Sequence, residues 1–366
     1  MPEGARADRL AALVAERELD SLIVGDLVRP GDSSAEATAS LRWLTGFGGT
    51  SGLALVGPDV RLFLTDFRYV ERAAREVDSG FERRTVEQRL VPELGRALSG
   101  RVGYDDSQTS VRALRQLTEA LPDGAELVPA AGLVERLRRS KDAGEQSAIA
   151  AAASLADDVY RWVLDRGLRG RPEREVARAA EARIRELGAE PSFPVIVAAG
   201  PNGALPHAEP SEREIGAGEL VVFDMGTTLD GYCSDCTRTF ATGAVDDEAA
   251  GVYELVRAAQ SAALERIAPG LTGPDADSAA RDPIAAAGHG DRFGHGLGHG
   301  VGIEVHEAPR LSQRSDDVLV DGDVVTVEPG VYVPGRFGVR IEDLVVVTAD
   351  GARNLSSLPR ELTEVA

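Results

Sequence analysis

Several residue types are scarce in this chain, and each shortage excludes something. Among 366 residues there are two cysteines, two methionines, two tryptophans, five histidines and a single lysine, Lys141. Two cysteines cannot build a disulfide framework. Cys233 and Cys236 have the C-x-x-C spacing of redox and zinc motifs, but no second pair exists, and in extended chain they point to opposite faces. They read as packing residues. Positive charge is short as well, with 40 Lys and Arg against 60 Asp and Glu and a net charge of −20. Nucleic-acid binding rests on Lys and Arg neutralising phosphates, so nucleic acid is excluded as a partner, and anionic membrane surfaces equally. No stretch approaches the roughly 18 apolar residues of a membrane span, and the opening MPEGARADRL has no apolar signal core. A cytoplasmic location is the expectation. One lysine beside abundant alanine and glycine reads as the codon bias of a GC-rich genome. No internal repeat is visible.

What is present points to a globular α/β (α+β) chain. Apolar residues make up 43%, and the length favours about two domains. In the first part, Ala5 to Glu18 has helical spacing and Asp20 to Gly25 reads as a strand. Ser40 to Phe47, Gly52 to Val56 and Val60 to Leu64 read as strands or strand ends. Thr65 or Asp66 caps a helix running through Glu76, and Val111 to Leu121 is another. Strands alternating with helices make a small α/β domain over residues 1–132. Residues 133–366 form the second domain. It opens on a long helical run, Val134 to Leu164, whose apolar pattern breaks at Lys141-Asp142. Helices follow from Pro172 to Leu187, Asp246 to Ile267 and Asp277 to Ala287, and Phe293 to Val347 is strand and loop.

The chemistry concentrates in the second domain. The stretch VVFDMGTTLDGYCSDCTRTF, Val221 to Phe240, reads as a hairpin turning at Asp230-Gly231. That turn sets Leu229 opposite Tyr232 and Asp224 opposite Thr237, with Asp235 the diagonal neighbour of Asp224 on one face. Two carboxylates on one buried face repel unless neutralised, by a shared proton or by divalent metal. Three histidines lie in FGHGLGHGVGIEVHE: His295, His299 and His306. Alternate glycines make a helix costly there, and in extended chain His295 and His299 share a face. This is no dinucleotide fingerprint, since no strand-turn-helix context surrounds it. His207 follows the turn Gly200 to Ala204, and His289 has no evident role. Glu328 ends one apolar strand and Glu342 lies in the next, positions where a carboxylate is rarely buried unless paired or metal-bound.

The order Asp224, Asp235, His299, Glu328, Glu342, with the surrounding words FDMG, GYCSDCTRTF, HGLGHGVGIEVHE, VEPGVY and GVRIED, resembles the pita-bread metallopeptidases, in their aminopeptidase P and prolidase branch. WLTGF and TDFRY resemble that branch's creatinase-like N-terminal domain. The resemblance implies a creatinase-like domain followed by a pita-bread domain, and a peptidase acting between an N-terminal residue and a following proline. It implies two divalent ions, Mn²⁺ first, with Co²⁺, Zn²⁺ or Fe²⁺ as alternatives, a set that suits carboxylates and one imidazole. Asp235 and Glu342 would bridge the ions, Asp224 complete one, and His299 with Glu328 complete the other. A hydroxide held between them would be the nucleophile. Glu328 would also shuttle the proton to the leaving proline nitrogen. His207 and His306 would bond the substrate and its oxyanion, and His295 would line the proline side. Arg340 is expected to orient Glu342, and Tyr332 to approach the site. Proline-containing peptides are the expected partners, together with a second copy of the chain in a homodimer. TDFRY favours aminopeptidase P over a dipeptidase. The alternatives are a pita-bread enzyme with another substrate, or a non-enzymatic binding protein, which would be expected to have lost ligands.

Overall fold

The structure, a computed structural model, describes residues 4–27, 38–87 and 89–366. The first three residues of the N-terminal stretch read above lie outside these. Two compact units divide after Arg138.

The first unit begins with α1 (Ala5–Glu16), β1 (Ser21–Val24), α2 (Ala39–Thr45), β2 (Gly52–Val56) and β3 (Arg61–Asp66). It continues through α3 (Val70–Glu76), β4 (Glu82–Val86), α4 (Leu90–Gly95), β5 (Arg101–Tyr104), α5 (Val111–Ala120), β6 (Glu126–Pro129) and α6 (Leu133–Arg139). Its six strands form one mixed sheet in the order β4-β3-β2-β1-β5-β6. Ile23, Leu53, Leu55, Leu62 and Leu64 pack from the strands against Leu94 and Leu117 of the helices. Ser40 to Phe47 is a helix here, not the strand its alternation suggests. Thr38 accepts from Leu41 N at its start, and Gly46 ends it at φ 79, which a glycine adopts without cost. The helix buries Leu41, Trp43 and Leu44. The division falls later than 132 because α6 belongs with this sheet: Glu135 accepts from Ser40 Oγ at 2.5 Å, and Arg138 donates to it at 3.0 Å.

The second unit opens with α7 (Ala143–Leu164), α8 (Glu173–Glu186), β7 (Glu190–Pro191), β8 (Ile196–Ala199), β9 (Leu220–Met225) and β10 (Thr227–Leu229). Next come β11 (Tyr232–Cys233), β12 (Cys236–Ala241), α9 (Asp247–Arg266), α10 (Gly273–Ala286), β13 (Gly298–Gly300) and β14 (Glu307–Leu311). β15 (Val324–Val327), β16 (Gly330–Val333), β17 (Phe337–Arg340), β18 (Asp343–Thr348) and β19 (Gly351–Asn354) complete it. The break at Lys141-Asp142 is a helix start, where Asp142 and Glu145 cap each other's backbone N–H.

The unit repeats one backbone arrangement in its two halves. Gly170 N donates to Ile215 O, Ile215 N to Arg171 O and Glu173 N to Arg213 O. The same ladder recurs as Gly270 to Leu319, Leu319 to Leu271 and Gly273 to Asp317. Each half is a helix pair over strands with its own core, one around Tyr160 and Phe223 and the other around Tyr253 and Val325. Asp224 follows Ile215 at the spacing at which Glu328 follows Leu319, so the two acids occupy matching places. The repeat is invisible in sequence because the matched contacts are between backbone groups.

Candidate metal centre

The hairpin takes the predicted register. Leu229 pairs with Tyr232 and Asp224 with Thr237. Asp230 and Gly231 both have positive φ, as a two-residue turn of this type requires. Val221, Phe223 and Met225 of β9 face the apolar core of their half, so Asp224 projects from the other face. Tyr160, fully buried, sets its hydroxyl 2.8 Å from Phe223 O and 2.7 Å from Cys236 O, behind the two aspartates. Cys233 and Cys236 are buried thiols in separate apolar clusters, as packing residues should be.

The second half supplies His299, Glu328 and Glu342. His299 N donates to Thr326 Oγ at 3.0 Å, and Thr326 Oγ lies 3.1 Å from Glu328 Oε1. Glu328 N donates to Leu297 O, and Glu342 N to Thr237 O. Gly298 is required here, because a Cβ would stand 2.0 Å from Thr326 O. Ligand atoms of Asp235, His299 and Glu342 come within 4.8 Å of one another. His299 Nε2 is 3.3 Å from Glu328 Oε1 and 3.6 Å from Asp235 Oδ2. Asp224 is near enough for its charge to act on both Asp235 and Glu342, so the five predicted ligand side chains are neighbours, buried or nearly so.

Three observations fit divalent cations to this cluster. Nδ1 of His299 sits 3.1 Å from Gly300 O and so carries a proton, which turns the Nε2 lone pair toward two carboxylates. Asp224 Oδ1 and Glu342 Oε1 are buried and meet no hydrogen-bond donor among the described residues. Finally, the carboxyls repel. Burial first, then the charges of Glu342 and Asp224, push Asp235 well above the ordinary range, and burial with Glu328 and Asp224 does the same to Glu342. Burial would raise Glu328 too, but the hydrogen bond and charge of His299 hold it at about 2.

The remaining predicted residues form a chain. His295 has its Nδ1 proton on Gly296 O at 2.8 Å, leaving Nε2 to accept from Tyr332 Oη at 2.9 Å. Tyr332 Oη accepts from Arg340 at 2.9 Å, and Arg340 also reaches Pro206 O at 3.1 Å, next to His207. Arg340 then donates to Asp224 Oδ2 at 2.7 Å. Arg340 was expected to orient Glu342. It bonds Asp224 directly and reaches Glu342 through Thr237, which accepts from Arg340 Nε at 2.9 Å and donates to Glu342 Oε2 at 2.7 Å. Thr237 could have been found from the hairpin register, since it is the residue facing Asp224. His306 sets its ring edge-on to His299, centroids 4.3 Å apart. Desolvation first, then the charges of His299 and Arg310, lower its pKa to about 4, so it is neutral at pH 7. His207 is close enough to contribute to that shift, and Arg310 faces His299 across the ladder. Arg310 carried no sequence signal. His289 Nδ1 lies 3.1 Å from the Arg292 guanidinium.

Residues 147–349 match the model of metallopeptidase family M24, and residues 6–140 match the creatinase/prolidase N-terminal domain. A peptidase of Bacillus subtilis described as uncharacterized is 42% identical over 331 residues, 89% of this chain and 93% of the relative. A solved Xaa-Pro dipeptidase from Bacillus anthracis superposes with a TM-score of 0.92 at 37% identity, covering 98% of this chain and 99% of its own. An X-Pro aminopeptidase from Thermotoga maritima gives 0.89 at 33%, covering 98% and 100%. The chain belongs to metallopeptidase family M24, with the creatinase-like and pita-bread domains its motifs implied.

Proposed function

From that membership and the geometry above, we propose that the chain is a two-metal Xaa-Pro peptidase, cleaving the bond between an N-terminal residue and a following proline. The observation that carries this is the pair of buried oxygens, Asp224 Oδ1 and Glu342 Oε1, that meet no donor among the described residues and lie in a cluster with Asp235, His299 and Glu328. Asp235 and Glu342 would be shared between two ions, with Asp224 completing one and His299 and Glu328 the other. Mn²⁺ suits this set first, and Co²⁺, Zn²⁺ or Fe²⁺ next. Bound ions would activate water and polarise the scissile carbonyl.

The chain's own residues do the rest. Glu328, ionised in the neutral range, takes the proton of the attacking water and passes it to the proline nitrogen, a poor leaving group until protonated. His306 is neutral and can donate to the carbonyl oxygen as charge develops there, with His207 beside it. His295, half-buried against Tyr332 with its pKa lowered by desolvation, offers a flat surface to the proline ring.

An N-terminal unit of this fold accompanies both activities among the solved relatives, since the Bacillus anthracis dipeptidase covers 98% of this chain and the Thermotoga maritima aminopeptidase 98% as well. Arg310 favours dipeptides, because its charge lies near His306, where it could meet a free carboxylate beyond proline. The test is hydrolysis of an Xaa-Pro dipeptide and an Xaa-Pro-Yaa tripeptide by chelator-stripped chain, with and without Mn²⁺. Mn²⁺-dependent cleavage of the dipeptide, falling in Arg310→Ala, is the expected result. Equal cleavage of both substrates would make it an aminopeptidase. Cleavage of neither, with two ions bound, would transfer the site to another substrate. Sedimentation of the loaded chain should give a homodimer.

A further inference from the structure

Lys141 is the only lysine of the chain, and nothing above uses it. It stands in the turn between α6 and α7, its side chain 1% exposed, with Nζ 3.1 Å from Glu307 Oε2. The backbone fixes it there: its N–H donates to Gly322 O at 2.8 Å, and its carbonyl accepts from Gln146 Nε2 at 2.9 Å. Glu307 is the residue after His306, and its side chain is 6% exposed. Its second oxygen, Oε1, accepts from Glu304 N at 3.0 Å. Gly302 N donates to Glu304 O at 3.0 Å, and a Cβ on Gly302 would stand 2.6 Å from both carboxylate oxygens. The turn from Gly302 to Glu307 is therefore built around this carboxylate. The hairpin grips its other side, with Cys233 N donating to Gly302 O at 2.7 Å and Cys233 Sγ to Ile303 O at 3.3 Å.

A buried ion pair is a weak source of stability, because desolvation offsets its attraction and apolar residues of like volume often serve as well. What such a pair supplies is a fixed geometry between two segments distant in sequence. Here it joins the start of the catalytic unit to the turn that carries His306, and Lys141 provides the charge that balances Glu307.

We propose that Lys141, acting through Glu307, is a positioning residue for His306. The pair holds the Gly302–Glu307 turn so that the His306 ring stays edge-on to His299. The proposal rests on the reading of His306 as a group that meets substrate, and Lys141 itself touches no substrate.

The test uses the full Mn²⁺-loaded chain and the variants Lys141→Met, Lys141→Arg, Glu307→Gln, His306→Ala and Lys141→Met/His306→Ala. Lys141→Met keeps the stem and removes the charge. It should speed amide hydrogen exchange in residues 301–307 and leave exchange in β9 and β12, and the bound metal, unchanged. It should lower kcat by about tenfold, less than the about 10²–10³ that loss of an oxyanion donor costs. KM should change little, and Lys141→Arg should recover part of the loss. The double variant should be no slower than His306→Ala, because two changes acting through one group do not add. Additive losses, or unchanged exchange in 301–307, would overturn the proposal. Should Lys141→Met not fold, Glu307→Gln carries the same expectations. Exchange needs no substrate, so an absence of Xaa-Pro cleavage by the parent chain would sink the functional reading while leaving the clamp decided.

Discussion

His299 gives its Nδ1 proton to Gly300 O, and its Nε2 then faces Asp235 and Glu328. That single orientation is what lets these three side chains act as the ligand set proposed above. It also makes the ion-free site costly, since Asp235 is buried against Glu342 and Asp224. Asp235→Asn should therefore have opposite effects in two states. In chelator, removing one of three crowded carboxylates should make the variant about 1–3 kcal/mol more stable than the parent by urea unfolding, the gain known for removing poorly compensated buried charge. With Mn²⁺ present it should bind less metal by atomic absorption and show no turnover. A stripped variant less stable than the stripped parent would mean that Asp235 is well compensated without metal. At this scale the sequence was informative about which acids matter, because each stands in or beside an apolar strand, where a lone carboxylate is out of place: Asp224 lies inside β9, while Asp235, Glu328 and Glu342 lie just outside β12, β15 and β18, Glu342 between strands and not in one as its sequence suggests. It was silent on their supports. Thr237 joins Arg340 to Glu342, and Lys141 meets Glu307, across more than 100 residues of chain.

Elements carry information that single residues do not, and the glycine-rich run shows where. Glycines 294, 296, 298, 300 and 302 look equivalent as letters. A Cβ at Gly294 would meet nothing within 4 Å, whereas one at Gly298 would meet Thr326 O at 2.0 Å and force β13 away from β15. Gly298→Ala should cost about 3 kcal/mol, at the upper end of overpacking losses, and lower metal content by displacing His299. Gly294→Ala should leave both unchanged, as thermal melting and metal analysis would show. In the first unit, Asp66 ends β3 by accepting from Arg68 N at 3.0 Å and from its guanidinium at 2.8 Å. The Arg68 hydrogen bond lowers the Asp66 pKa against the raising effect of burial. A depressed carboxyl pKa stabilises the fold above the unfolded value, about 3.9, and the benefit fades as pH falls through the folded one. Asp66→Ala should thus cost about 1 kcal/mol at pH 7, a typical cap loss. The deficit should shrink at pH 3 in urea titrations. Asp230-Gly231 made the hairpin register legible, since that turn admits one pairing. Ser40 to Phe47 was misread because alternation there competes with a Thr38 cap and a Gly46 stop, and burial of Trp43 decides for the helix.

The whole molecule puts the proposed metal site where two halves of one unit meet. Asp224 and Asp235 come from the first half, and His299, Glu328 and Glu342 from the second. Neither half holds the full set, so ions that bind there stabilise the docked pair and not either half alone. An ion present at about 100 times its Kd adds about 2.7 kcal/mol to the folded state. That gain should be confined to the second unit, because each unit has its own core. The two tryptophans report on it separately. Trp43 is buried in the first unit, and Trp162 lies in α7 of the second, against Arg166. In a Trp43→Phe chain, adding Mn²⁺ to stripped protein should move the fluorescence midpoint to higher urea. In a Trp162→Phe chain the Trp43 midpoint should stay where it was. Equal shifts in both would show that the units unfold as one body, and the ions would then be stabilising the creatinase-like unit through its neighbour. A shift in neither would mean that the five ligands hold no Mn²⁺ in the folded chain, which would remove the basis for a metal-dependent reaction at this site.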